Sequence, residues 1–173
     1  MTKKEIFNKL PSRAVIILRG IPGSGKSTFV DNFADYLGNP MTDDVQVCSA
    51  DHFWVNEQTG KYEFNIHFLG TAHHFCFENF EYYTGLTGKK KPLYVVVDNT
   101  NVSMKEMDKY IKRAKNTDWD IVTITFKIDP EVAFKRNIHN VPKNTVFNMY
   151  QKLINCQLPN DIINLELDKG ELT

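Results

Sequence analysis

The stretch Gly20-Ile-Pro-Gly-Ser-Gly-Lys26-Ser27 limits what this chain can fold into more than any other: glycine, four residues, glycine, lysine and serine, set between two apolar patterns. Ala14–Arg19 before it is continuous and apolar at strand length, as a strand covered on both faces would be. After it, Phe29, Val30, Phe33, Ala34 and Leu37 recur at helical spacing from Ser27 onward, and Gly38 closes the run. Strand, glycine loop and helix together make a cradle for phosphate. Glycines let successive backbone N–H groups converge on phosphate oxygens, and the helix start adds its positive end. In this pattern Lys26 reaches the outer phosphates and the Ser27 hydroxyl binds magnesium. The cradle residues are Gly20, Pro22, Gly23, Ser24, Gly25, Lys26, Ser27 and Thr28. An ordinary glycine-rich turn is the bland alternative, and the strand and helix on either side weigh against it.

The pattern of strand followed by helix continues along the chain. Val45–Ser49 is a short strand candidate, and a polar, turn-rich segment leads through Gly60 to a long helix over Ile66–Thr84. Phe68, Leu69, Ala72, Phe75, Cys76 and Phe80 are the expected apolar side of that helix. Leu93–Val97 is the strongest β-branched run and ends at Asp98. Ser103 with Glu106 predicts a capping box for a helix reaching about Asn116. Ile121–Lys127 predicts a fourth strand, Asp129-Pro130 opens a short helix through Lys135, Lys143–Asn155 reads as another helix, and Ile162–Leu167 as a last strand. Apolar strands alternating with helices predict an α/β, three-layer fold with a mainly parallel sheet of about five strands, the P-loop nucleoside-triphosphate hydrolase and kinase architecture.

With 173 residues, one domain over 1–173 is expected, with a short leader through residue 13 whose Ile6, Phe7 and Leu10 could pack as one helical turn. Lys plus Arg and Asp plus Glu each number 21, so the net charge of zero argues against coating long nucleic acids by phosphate neutralisation alone. Cys48, Cys76 and Cys156 are odd in number and lie in apolar surroundings, which predicts reduced, buried thiols and a cytoplasmic setting. No apolar stretch is long enough for a signal peptide or a membrane span.

Which group attacks the terminal phosphate separates the P-loop classes. A hydrolytic motor carries an acidic pair after its apolar strand, but Asp98 is followed by Asn99. A guanine-reading Asn-Lys-x-Asp segment is also missing. Transfer to a bound hydroxyl is favoured, which needs a carboxylate at a neighbouring strand end, and Asp51 stands directly after Val45–Ser49. In a parallel sheet the phosphate loop, Asp51 and Asp98 share one rim. Asp98 would then serve magnesium. The plainer readings are a cap or Asx-turn for Asp51 and a turn residue for Asp98. Arg136 is either a phosphate-side arginine on a lid over residues 136–142 or a solvated helix-end residue. His67, His73 and His74 sit on the long helix without a ligand set, and Lys89–Lys91 falls at the strand end opposite the rim, where a solvated turn is expected.

These residues together resemble the Nedd-four-binding-protein-two-like family of P-loop kinases and, more distantly, the kinase domain of bacteriophage polynucleotide kinases. The likeness runs from about Val15 to Tyr150 in five ordered blocks: Arg19–Thr28, Ser49–Trp54, Tyr62–Asn65 with Ala72-His73, Val97–Asn101 and Arg136–Pro142. The resemblance implies ATP as donor with magnesium, a polynucleotide 5′-hydroxyl as acceptor, Asp51 as base and Arg136 as a lid arginine. It brings His52, Trp54, Tyr62, Asn65, His73 and Asn101 forward as acceptor-side residues. His52 stands where the family has a second aspartate, and Trp54 where the phage enzymes have an arginine. Asn140 replaces a lid glycine, a mild change because asparagine tolerates the left-handed conformation. A kinase of a nucleoside, nucleotide or other small metabolite, or a non-catalytic nucleotide-binding module, are the other readings.

Overall fold

The computed structural model describes residues 1–36, 44–56, 58–138 and 140–167. Leu37, Gly38 and His139 lie outside the described residues. Five strands, β1 (Ala14–Arg19), β2 (Val45–Cys48), β3 (Tyr94–Asp98), β4 (Asp120–Phe126) and β5 (Ile163–Leu167), form one parallel sheet of order β2-β3-β1-β4-β5. β1 is central, with Ile16 opposite Val96 on one side and Val122 on the other. Every residue of β1 is buried.

Side-chain alternation along the strands divides the core in two. Ile16, Leu18, Val96, Val122 and Ile124 point to one face, where they meet Phe7 of α1 (Lys3–Lys9), Phe29 and Phe33 of α2 (Lys26–Tyr36), and Val146 and Leu153 further along the chain. Val15, Ile17, Val95, Val97 and Ile121 point to the other face. There they meet Ala72, Cys76 and Phe80 of α3 (Leu69–Gly85) and Met107, Tyr110 and Ile111 of α4 (Met104–Asn116). Helices on both faces of a parallel sheet give the expected three layers. α5 (Pro130–Lys135) and α6 (Lys143–Asn155) complete the described α-helices, and none of the described helices is long and apolar enough to cross a membrane.

Several expectations are corrected at the element level. The helical turn expected of the leader is present and longer, a seven-residue helix that Thr2 and Glu5 cap reciprocally and whose Ile6 is fully buried. The long helix begins as a separate 3-10 turn, Ile66–Phe68, and its buried line is Ala72, Cys76, Phe80 and Thr84. Phe68, Leu69 and Phe75 stay substantially exposed instead. Ser103 caps α4 without its side chain, and Glu106 reaches past it to accept from the Val102 N–H at 2.8 Å. Asp129 does cap α5, accepting from the Glu131 N–H at 2.8 Å ahead of Pro130.

Candidate functional site

The loop from Gly20 turns directly out of the sheet into α2. Gly23 and Gly25 hold φ of 77° and 91°, a region that costs a side chain strain and glycine nothing. Gly20 is required by space: a Cβ there would lie 2.5 Å from Ser24 Oγ and 3.0 Å from Phe126 Cβ. A Cβ on Gly23 would run into the carbonyl of Ala133, so the end of α5 sits directly on the phosphate loop. Gly20 N–H donates to the Thr100 carbonyl at 2.9 Å, which ties the loop to the segment after β3.

Lys26 opens α2 with its ammonium turned back over the loop. Nζ donates to the carbonyls of Gly20 at 3.0 Å and Ile21 at 3.3 Å, and to Ser24 Oγ at 3.5 Å. Burial pushes its pKa down, against the pull of Asp98 and Asp51. Its direct contacts are neutral oxygens, with Asp98 and Asp51 as the nearby negative charges, so an anionic ligand would offset its burial further. Ser27 Oγ donates to Asp98 Oδ2 at 3.1 Å, joining the first turn of α2 to the end of β3. Burial also raises the Asp98 pKa, while Lys26 and the Ser27 hydrogen bond lower it and Asp51 raises it. Asp98 is therefore the last residue of β3 with a defined partner in Ser27, and the plain turn reading does not describe it.

Asp51 lies in the 3-10 turn Ala50–Trp54 after β2. It is no cap, since Ser49 fills that role, accepting from the Asp51 N–H at 3.2 Å while donating to the Asp98 carbonyl at 2.8 Å. Ala50 N–H donates to Asn99 Oδ1 at 2.9 Å. These two links lock the ends of β2 and β3 together and place Asp51 on the rim that carries Asp98. Its carboxylate is exposed and accepts from Tyr62 Oη at 2.8 Å. Burial and that hydrogen bond both push the Tyr62 pKa up, so the phenol stays a donor. Lys26, Ser27, Asp98, Asp51 and Tyr62 thus stand at one end of the sheet.

The remaining expected residues divide. Arg136 is exposed at the C-cap of α5, five residues after Glu131, and its N–H donates at 3.1 Å to the Ala133 carbonyl that faces Gly23. In the segment that follows, Asn137 Nδ2 donates to the Val141 carbonyl at 2.8 Å, and Asn140 holds φ of 55°. Asn140 therefore adopts the conformation its glycine-like position requires. His52 is exposed beside the rim and lowers the Asp98 pKa. His73 is half-buried on α3. Trp54 is only 4% exposed, with its ring edge-on to Phe53 and Phe64, so it supports the turn instead of lining a surface. Asn65 caps the 3-10 turn Ile66–Phe68, accepting from the His67 N–H at 3.0 Å. Asn101 is buried with φ of 45°, donates to the Leu18 carbonyl at 2.8 Å and is spent on holding β1.

Sequence reasoning missed three supports. Arg19 is buried at the end of β1, where Nε donates to the Asn101 carbonyl at 3.2 Å and Nη1 to Thr125 Oγ1 at 3.1 Å. Asn99 and Ser49 are the other two. Ser49 carried a signal, a hydroxyl two residues before an aspartate. The thiol expectation is also refined: Cys48 and Cys76 are buried, but Cys76 meets Tyr110 Oη and Asn99 Nδ2, each at 3.3 Å, and Cys156 is half-buried.

A glycine loop with its lysine, a strand-end aspartate and a central parallel strand define the P-loop nucleoside-triphosphate-binding class. A family model described as AAA domain matches residues 15–147, and the chain belongs to that family. It is 29% identical over 155 residues to human NEDD4-binding protein 2, covering 83% of this chain and 8% of that protein. It is 26% identical over 141 residues to the L-seryl-tRNA(Sec) kinase of Methanococcus maripaludis, covering 80% of this chain and 51% of that one. The chain thus spans only part of these relatives. In fold it is similar to the crystal structure of AvrRxo1-ORF1:-ORF2 with ATP, at a TM-score of 0.61 and 14% identity, covering 87% of this chain and 50% of that chain. The P-loop kinase-type fold and the likeness to NEDD4-binding protein 2 expected from the sequence are both borne out.

Proposed function

We propose that this domain transfers the terminal phosphate of ATP to the 5′-hydroxyl of a polynucleotide. One observation carries the reading: a second carboxylate, Asp51, stands on the phosphate-loop rim, hydrogen-bonded to Tyr62 and close enough to act on the Lys26 charge. A site built only to bind nucleotide has no use for it. The archaeal relative's name is that of a kinase whose acceptor is carried on a tRNA. Tyr62 at 39% exposure, bonded to Asp51, and Phe64 at 53%, packed on Trp54 of the same turn, present aromatic faces that suit a nucleobase better than a small polar metabolite.

In this reading the loop N–H groups of residues 23–28 take the β- and γ-phosphate oxygens, and Lys26 exchanges its neutral carbonyl partners for them. Ser27 Oγ and the Asp98 carboxylate, hard oxygen donors 3.1 Å apart, would hold magnesium, which supplies charge neutralisation when bound. Asp51 accepts the acceptor hydroxyl's proton as that oxygen bonds to the γ-phosphorus and the bond to ADP breaks. Tyr62 holds the carboxylate in position. Arg136, beside the loop, stabilises charge on the moving phosphoryl group.

Radiolabelled ATP offered with DNA and RNA oligonucleotides bearing 5′-hydroxyls, and separately with nucleosides, tests the assignment. Label on oligonucleotide ends is expected. Label on nucleosides alone would move the assignment to a metabolite kinase, and label on neither would remove catalysis of this kind.

A further inference from the structure

After β3 the rim opens into a cavity of about 470 Å³ whose lining includes none of Lys26, Asp51, Asp98 or Arg136. The volume is in the range of ligand sites, roughly 300–1,000 Å³, and is more than a lone phosphate fills. Its floor is Asn99, Thr100 and Asn101, so it begins at the residue that fixes the backbone of Ala50, next to Asp51. Lys105 and Lys109 from α4, Lys152 from α6 and His73 from α3 stand around it. Glu106 is the acidic member, and its carboxylate is engaged by the Val102 N–H. In a chain with no net charge, such an excess of cations is local.

The cations are held in different ways. Lys109 is fixed: Nζ donates to the His73 carbonyl at 3.2 Å and lies 4.9 Å and 5.0 Å from the ring centres of Phe77 and Tyr110. An ammonium has three donors, so its remaining ones can serve a ligand. Lys105 and Lys152 are exposed, on helices from opposite sides of the opening. Burial and Lys109 lower the His73 pKa, against Glu106 and Asp51, which favours the neutral ring as a hydrogen-bonding group.

We propose that this cavity is the track for the acceptor strand: Lys105, Lys109 and Lys152 hold the backbone phosphates of a single-stranded nucleic acid whose 5′-hydroxyl reaches Asp51. The inference rests on the kinase reading and names what that reading leaves open, an acceptor recognised as a polyanion through its backbone. Single strands are bound by cationic grooves combined with exposed rings, and Tyr62 and Phe64 supply the rings near the 5′ end.

The test compares 5′-hydroxyl acceptors of increasing length: a nucleoside, its 3′-monophosphate, and single strands of two to eight nucleotides, with wild type and the double variant Lys105→Ala/Lys152→Ala. In wild type kcat/KM should rise roughly tenfold or more from nucleoside to short strand. The variant should lose about tenfold on strands, and its salt slope should fall by roughly 1.4, near 0.7 per lysine for single strands. Lys89→Ala/Lys90→Ala, at the other end of the sheet, should behave as wild type. Equal KM and equal slope in the Lys105/Lys152 variant would overturn the track. So would a 3′-monophosphate that is as good as the longest strand, since that outcome makes the site one for a small phosphorylated acceptor. Anisotropy of a fluorescent hexanucleotide, read without ATP, separates the two claims: absence of transfer sinks the kinase reading, whereas unchanged strand binding in the variant sinks the track.

Discussion

At the scale of single residues the site is built from charges held against their preference for water. Lys26 is 9% exposed and Asp98 is half-buried, and each is tolerated because the other, with Ser27, stands near. Lys26→Ala should reduce transfer by roughly a thousandfold or more, because preorganised charge on the transferring group is among the largest catalytic contributions. Single-turnover kinetics with thermal melting as a fold control would check it, and near-normal transfer would contradict it. Asp98 gives a pH prediction. Its folded pKa is raised above the ordinary 3.8, chiefly by burial, so its contribution to stability is present below that value and is lost as pH rises through the raised folded value. Asp98→Asn has no such loss. The melting temperature of the nucleotide-free variant, relative to wild type, should therefore climb as pH rises from about 4 towards neutrality. A flat difference across that window would show that Asp98 is not strained by burial.

At the scale of elements, α1 and α2 position the loop by stacking aromatic rings. Phe7 lies 5.2 Å from both Phe29 and Phe33, and Phe29 meets Phe126 of β4 edge-on at 5.5 Å. Phe7→Ala should cost about 3 kcal/mol, or roughly 6–12 °C in melting temperature at this size. A calorimetric scan showing no loss would mean α1 is not part of the core. The strands were legible because parallel strands buried on both faces are continuous apolar runs, as in Ala14–Arg19 and Tyr94–Asp98. The start of α3 was not. Phe68, Leu69 and Phe75 share helical spacing with the buried line, but Asn65 caps a separate turn first, and periodicity alone does not show which apolar side chains a neighbouring element covers. Likewise Trp54 reads as a surface aromatic by position in a motif, although its ring fills the space between Phe53 and Phe64. Arg19 was hidden for the opposite reason, since its partners Asn101 and Thr125 are 82 and 106 residues distant.

At the scale of the whole molecule, the β2-β3-β1-β4-β5 order does the assembling. β3 lies between β1 and β2, so the phosphate loop, Asp98 and Asp51 leave three adjacent strands at the same end. α5 packs against Gly23 from the other face, which brings Arg136 alongside. The most direct test is Asp51→Asn, assayed for transfer of labelled phosphate to a 5′-hydroxyl oligonucleotide alongside calorimetric ATP binding. Transfer lower by roughly 10²–10⁴ with ATP affinity kept within a few fold is the predicted result. Transfer at the wild-type rate in that variant would contradict Asp51 as the base and, with it, the claim that this rim is a kinase active site.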